Sequence, residues 1–304
     1  MDALSKVGGF IRGIPSSIAS LFAFYPPPPS YEIRHHPTDE SVAEIAFGEE
    51  VGSVREEEMA RMEARLAKTE RGTSIVTLFV RSSKDPKQTI MFSHGNAEDL
   101  GLKIDFLLEL SDETNSNVFS YDYSGYGRST GKPSEENLYA DIKAAWDVLR
   151  SRHGIPEENI VLYGRSLGSV PTVRLASERE NLPGVILHSP LSSALGMVLR
   201  FTPWSVGPFA VTDLVPRITC PVLVVHGTQD EVIPNSHGRF IHERCQQKVE
   251  PLWVEGAGHN NVEAYPQFWR RLKRFLEQEL RVGRKETSPK FPHDGKGSTS
   301  WHKI

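Results

Sequence analysis

Cysteine is nearly absent from the 304-residue chain: only Cys220 and Cys245 occur, without the short spacing of a zinc site or the density of a disulfide framework. Neither a disulfide framework nor a zinc site is therefore expected, and the compartment is read as reducing and cytoplasmic. Positive charge is not in excess either. The net charge of −4 gives no general attraction to nucleic acid, which is not expected as a partner. Missing too are internal repeats and any apolar run of the roughly 20 residues that span a bilayer. What remains, with 38% hydrophobic and 24% charged residues, is the composition of a soluble globular protein long enough for one large core.

Residues 1–31 differ from the rest of the chain. Lys6 and Arg12 precede Ile14, Ile18, Leu21, Phe22, Phe24 and Tyr25, and Pro26 to Pro29 then stop any helix. Pro15 suits a first helical position, so a short helix over about 16–24 is expected. Its apolar face packs on the core or makes peripheral membrane contact through residues 10–25, at the cytoplasmic face of membranes. Beyond Arg281, Lys, Ser, Gly and Pro replace apolar residues, so 282–304 reads as a disordered tail. The catalytic domain is assigned to 32–281.

Within that domain the stretch Glu57–Lys68 is ambiguous. Its residue types favour helix, but Met62, Ala64 and Leu66 alternate as in a strand, and with Thr73–Arg81 they predict a hairpin at the edge of a sheet. Strands follow at Thr89–Ser93, Asn117–Tyr123, Asn159–Tyr163, Gly184–His188, Val222–His226 and Leu252–Val254. Helices are expected around Gly101–Glu113, Glu135–Arg152 and Val262–Leu280. Such alternation means a mostly parallel sheet covered by helices on both faces, with ligands bound beyond the carboxyl ends of its strands. An apolar insertion at 192–214, rich in Leu195, Met197, Phe201, Trp204 and Phe209, interrupts the pattern.

The chemistry starts at Gly164-Arg165-Ser166-Leu167-Gly168, a G-x-S-x-G turn from strand into helix. A serine hydroxyl needs a base within hydrogen-bond reach, and the base needs a group that fixes its tautomer. Asp230, in a loop after a strand, and His259, in the glycine-rich loop after the next, supply them in the order Ser, acid, His. Chemistry carried by these three side chains requires no metal and no organic cofactor. Glu231 and Asp213 compete for the acid role. For the oxyanion, the N–H of Leu167 at the helix start pairs with that of Asn96 in His94-Gly95-Asn96-Ala97, with Ala97 as the competing donor. Asp122 precedes the nucleophile, the wrong order for the triad, and is read as bracing the turn of its own glycine-rich loop, Tyr121 to Ser129; His188 and His226 end strands and are read as structural.

Several longer motifs narrow the match. Phe92-Ser93-His94-Gly95-Asn96-Ala97, Phe119 to Gly127, Asn137 to Ile142, Leu187 to Leu191 and Glu250 to Asn260 closely resemble the alpha/beta hydrolase domain-containing protein 17 family over about residues 70–280. The resemblance implies the α/β-hydrolase fold, with 192–214 as a short cap, and a palmitoyl-protein thioesterase acting on S-acylated proteins. It places the nucleophile on Ser166, the acid on Asp230 and the base on His259. Two departures stand out: residues 1–31 lack the family's N-terminal cysteine cluster, and Arg165 stands where glutamine generally precedes the serine. Arg165 either steers acidic substrates or pairs with a nearby carboxylate. A carboxylesterase or lipid hydrolase acting on oxygen esters would use the same triad, and a catalytically silent scaffold would retain only the fold.

Overall fold

The computed structural model describes residues 24–36, 39–48, 51–52, 54–193 and 209–280. The expected N-terminal helix, most of the 192–214 insertion and the 282–304 tail thus lie outside the described residues. One sheet of ten strands organises the rest: β1 (Tyr31–His36), β2 (Asp39–Phe47), β3 (Met62–Lys68), β4 (Ser74–Val80), β5 (Thr89–Ser93), β6 (Asn117–Tyr121), β7 (Ile160–Arg165), β8 (Val185–His188), β9 (Val222–Gly227) and β10 (Leu252–Val254). Their spatial order is β1-β2-β3-β4-β6-β5-β7-β8-β9-β10. From β6 to β10 every pairing is parallel, whereas β1 to β4, and β4 with β6, run antiparallel.

Side-chain alternation along the buried strands feeds a separate core on each face of the sheet. Leu162 of β7 and Met91 of β5 join Leu138, Ile142, Trp146 and Leu149 of one helix, α3 (Glu135–Ser151), and Val170 and Val173 of another, α4 (Ser169–Ala176). On the other face Val161, Tyr163, Ile90 and Phe92 meet Leu107 of α2 (Ile104–Thr114) and Phe268 and Leu272 of α6 (Pro266–Arg274). Burying each such side chain contributes about 1.5–3 kcal/mol before entropy is counted. Caps set the helix limits. Ser134 accepts the Asn137 N–H at 3.1 Å to start α3, and Asn115, in the left-handed region at φ 48°, ends α2.

Three expectations need correction. The ambiguous stretch divides: Glu56–Met59 forms one short helical turn (α1) and Met62–Lys68 a strand. The hairpin of β3 and β4 is not at the edge, because β1 and β2 extend the sheet beyond it. The expected helix Val262–Leu280 is broken into a 3-10 turn at Val262–Ala264, α6, and a π-helical turn at Phe275–Glu279. Pro266 accounts for the first break, since its ring suits the first turn of a helix and not the interior.

Candidate active site

β7 ends at Arg165, and the chain turns through Ser166–Gly168 directly into α4. Ser166 has φ 53°, a left-handed conformation costing a residue with a Cβ on the order of 1–3 kcal/mol. The flanking glycines make the turn possible. A Cβ on Gly164 would stand 2.6 Å from the Gly168 carbonyl oxygen, and one on Gly168 would collide with the Ser93 and His94 carbonyls. The strain presents the Ser166 hydroxyl at the carboxyl end of the sheet, where the loops after β5, β9 and β10 also converge.

From the loop after β10, His259 Nε2 lies 3.0 Å from Ser166 Oγ, and its Nδ1 lies 2.8 Å from Asp230 Oδ2. The sequence-predicted serine, histidine and aspartate therefore form one continuous hydrogen-bonded chain. Asp230 also accepts the N–H groups of Val232 at 2.9 Å and Ile233 at 2.7 Å. Burial opposes its charge, but hydrogen bonds from His226, His259 and Ile233 hold its carboxyl well below the usual carboxylate range. The rival acids sit elsewhere. Glu231 accepts the backbone N–H of His259 at 3.2 Å rather than its ring, and Asp213 is exposed.

The loop after β5 carries the expected oxyanion donors. Asn96 Oδ1 accepts the Tyr126 hydroxyl at 2.6 Å, the Tyr25 N–H at 2.9 Å and the Ala97 N–H at 3.1 Å. The competing donor, Ala97 N–H, thus has a partner within its own turn. Leu167 follows Ser166 in the elbow, with its N–H at the start of the turn into α4. Asp122 is structural, but its side chain braces other segments rather than its own turn: it is fully buried, accepts the Leu100 N–H at 3.0 Å and the Tyr31 hydroxyl, and stands 3.3 Å from His94 Nε2.

Sequence reading missed several contacts. His226, taken as a purely structural histidine, has Nε2 2.8 Å from the Ile233 carbonyl and 3.2 Å from Asp230 Oδ2. His188 does play the structural part: it is buried, its Nδ1 meets the Tyr163 hydroxyl at 3.0 Å, and burial pushes its pKa down to about 3. Arg165 is buried and pairs with Glu98 at 2.6 Å and Glu263 at 3.3 Å, so pairing, not steering, is its observed state. Charge beside G-x-S-x-G was a visible signal; which carboxylates met it was not. Among the described residues no group of three or more His, Cys, Asp or Glu side chains is arranged to hold a metal, and no helix is long and apolar enough to cross a membrane.

Known proteins share this chain's sequence and architecture. A family model described as serine aminopeptidase, S33, matches residues 84–207. The chain is 49% identical over 273 residues to alpha/beta hydrolase domain-containing protein 17B of Homo sapiens, covering 88% of this chain and 93% of that protein. It is 47% identical over 283 residues to protein 17C of Xenopus tropicalis, covering 88% and 91% respectively. Among solved structures, the Pyrococcus furiosus esterase Pf2001 superposes with a TM-score of 0.60 at 18% identity, over 75% of this chain and 95% of the esterase, a likeness of fold.

Proposed function

The chain belongs to the alpha/beta hydrolase domain-containing protein 17 family, and on that premise we propose that it is a serine palmitoyl-protein thioesterase in which Ser166, His259 and Asp230 carry the chemistry. The observation that carries the reading is the unbroken run from Ser166 Oγ through the His259 ring to Asp230. His259 Nε2 takes the hydroxyl proton as Ser166 Oγ attacks the thioester carbonyl, while Asp230 fixes the tautomer and stabilises the imidazolium. The N–H groups of Leu167 and Asn96 receive the charge that develops on the carbonyl oxygen. As the tetrahedral intermediate collapses, the C–S bond breaks and His259 returns its proton to the departing thiolate. Water, deprotonated by the same imidazole, then attacks the acyl-enzyme and releases the fatty acid. The chain acts on S-acylated proteins.

Residues 10–25 set the basic Arg12 among apolar residues, and make the peripheral membrane contact that brings the enzyme to such substrates. Phe24 is buried and its ring meets that of Phe209 edge-on at 5.5 Å, while Tyr25 beside it is 75% exposed and bonded to Asn96. The segment proposed to bind membranes therefore joins the domain at Phe24 and Tyr25, beside the loop that carries Asn96. Liposome sedimentation of the full chain and of a form lacking residues 1–23 checks this part; equal binding by both contradicts it. Fluorophosphonate labelling checks the nucleophile: wild type labels and Ser166→Ala does not, and labelling of a folded Ser166→Ala protein contradicts the assignment.

A further inference from the structure

Resting on the serine-hydrolase reading above, the residue before the nucleophile acquires a role that pairing alone does not describe. The Arg165 guanidinium is 4% exposed and reaches two loops at once, the one after β5 and the one after β10. Nη1 donates to Glu98 Oε1 at 2.6 Å, and Nη2 donates to Asn260 Oδ1 at 2.9 Å and to the His259 carbonyl at 3.3 Å. Nε stands 3.3 Å from Glu263 Oε1. The second oxygen of Glu98 accepts the Gly95 N–H at 2.9 Å, and Lys103 Nζ lies 3.4 Å from the first. One planar cation, a single peptide bond from Ser166, thus holds the backbone of the base and, through Glu98, the backbone turn that carries Asn96.

The charges explain why this arrangement is tolerated. Two cations face two carboxylates, so the network is neutral although it is largely removed from water. Burial opposes the charges of Glu98, Arg165 and Glu263, yet Lys103 and Arg165 hold Glu98 below its ordinary carboxylate value, and Glu98 and Glu263 hold Arg165 above its own. A paired charge of this kind contributes little net stability against an apolar alternative, but it fixes geometry, because the N–H groups of the guanidinium donate to their partners in one plane. Lysine would supply the charge without the fork. Steering of acidic substrates does not fit a cation that is buried and already neutralised.

We propose that Arg165 is a positioning residue for acyl transfer, setting the spacing of the Ser166 elbow, the His259 loop and the oxyanion turn relative to one another. Such a residue acts on the rate of the bound complex and not on substrate affinity, since its guanidinium is taken up by Glu98, Asn260 and the His259 carbonyl. Displacements near 1 Å at a reacting centre cost on the order of 100-fold in rate.

The test compares full-length wild type, Arg165→Lys, Arg165→Gln, Glu98→Gln and Ser166→Ala on one soluble acyl thioester. Rates are normalised to folded protein measured by circular dichroism. The expected result is a kcat lower by about 10- to 100-fold in Arg165→Gln, with KM within about twofold of wild type. Arg165→Lys should recover part of the loss, and Glu98→Gln, which cuts only the branch to Gly95, should fall between wild type and Arg165→Gln. If Arg165→Gln does not fold, Arg165→Lys and Glu98→Gln still decide. Wild-type kcat in the folded variants, or a loss confined to KM, overturns the proposal. Absence of Ser166-dependent turnover in wild type would instead overturn the functional reading, and the positioning role with it.

Discussion

His226 Nε2 stands 3.2 Å from Asp230 Oδ2, the same carboxylate oxygen that His259 Nδ1 meets at 2.8 Å. Both atoms near His226 Nε2, Asp230 Oδ2 and the Ile233 carbonyl, are acceptors, so this nitrogen carries the proton and shares it between them. The acid is therefore held by two imidazoles and two backbone N–H groups.

His226→Phe removes one of those donors and leaves the Ile233 carbonyl without its imidazole partner. We expect a loss of about 1–3 kcal/mol in stability and a several-fold lower kcat, because Asp230 gains freedom to turn away from His259. Urea unfolding together with steady-state kinetics checks both. An unchanged kcat would show that the backbone donors alone suffice to orient the acid.

Tyr126 links the N-terminal segment to the oxyanion turn. Its hydroxyl donates to Asn96 Oδ1 at 2.6 Å and accepts the Tyr25 N–H at 3.2 Å. Tyr126→Phe should cost about 1 kcal/mol and lower kcat several-fold on a water-soluble substrate, where no membrane contributes. A form lacking residues 1–25 should share the kcat loss, since the Tyr25 N–H leaves with the segment. If both proteins turn over soluble substrate at the wild-type rate, the segment does not support the site.

Asp141 in α3 accepts both the N–H and the hydroxyl of Ser124 at 2.7 Å, yet burial outweighs those bonds and pushes its pKa up to about 6. The folded state therefore holds this proton more tightly than the unfolded chain does, where the value is about 4. Its contribution to stability is fully present below about pH 4 and is lost as pH rises through about 6. Thermal melts of wild type and Asp141→Asn between those limits and neutrality should show the stability of wild type relative to the variant falling with rising pH. A difference that stays constant, or grows with pH, contradicts this.

The sequence made the central part of the fold legible because buried parallel strands are short continuous apolar runs, as in Val222–Val225, separated by helices with an apolar stripe. The site was legible for a related reason: Ser166, Asp230 and His259 follow strands, and loops after parallel strands must meet at one end of the sheet. The two outer strands were overlooked although Tyr31, Ile33 and then Val42, Ile45 and Phe47 carry β-type residues, since the proline run before them and the many charged residues among them interrupt the apolar pattern. Long-range partners were beyond reach in principle. Nothing local to Arg165 indicates that Glu98 and Glu263, far apart in sequence, close on it, and nothing local to His226 distinguishes a strand-end histidine from one that touches the acid.

The hydrolysis of an S-palmitoylated peptide, measured beside its oxygen-ester counterpart with wild type and Ser166→Ala, tests the central claim most directly. The account predicts that wild type prefers the thioester and that Ser166→Ala loses at least about 10⁴-fold in kcat while folding normally. Preference for the oxygen ester would move the protein to the carboxylesterases with the same triad, and turnover retained by a folded Ser166→Ala protein would contradict the mechanism itself.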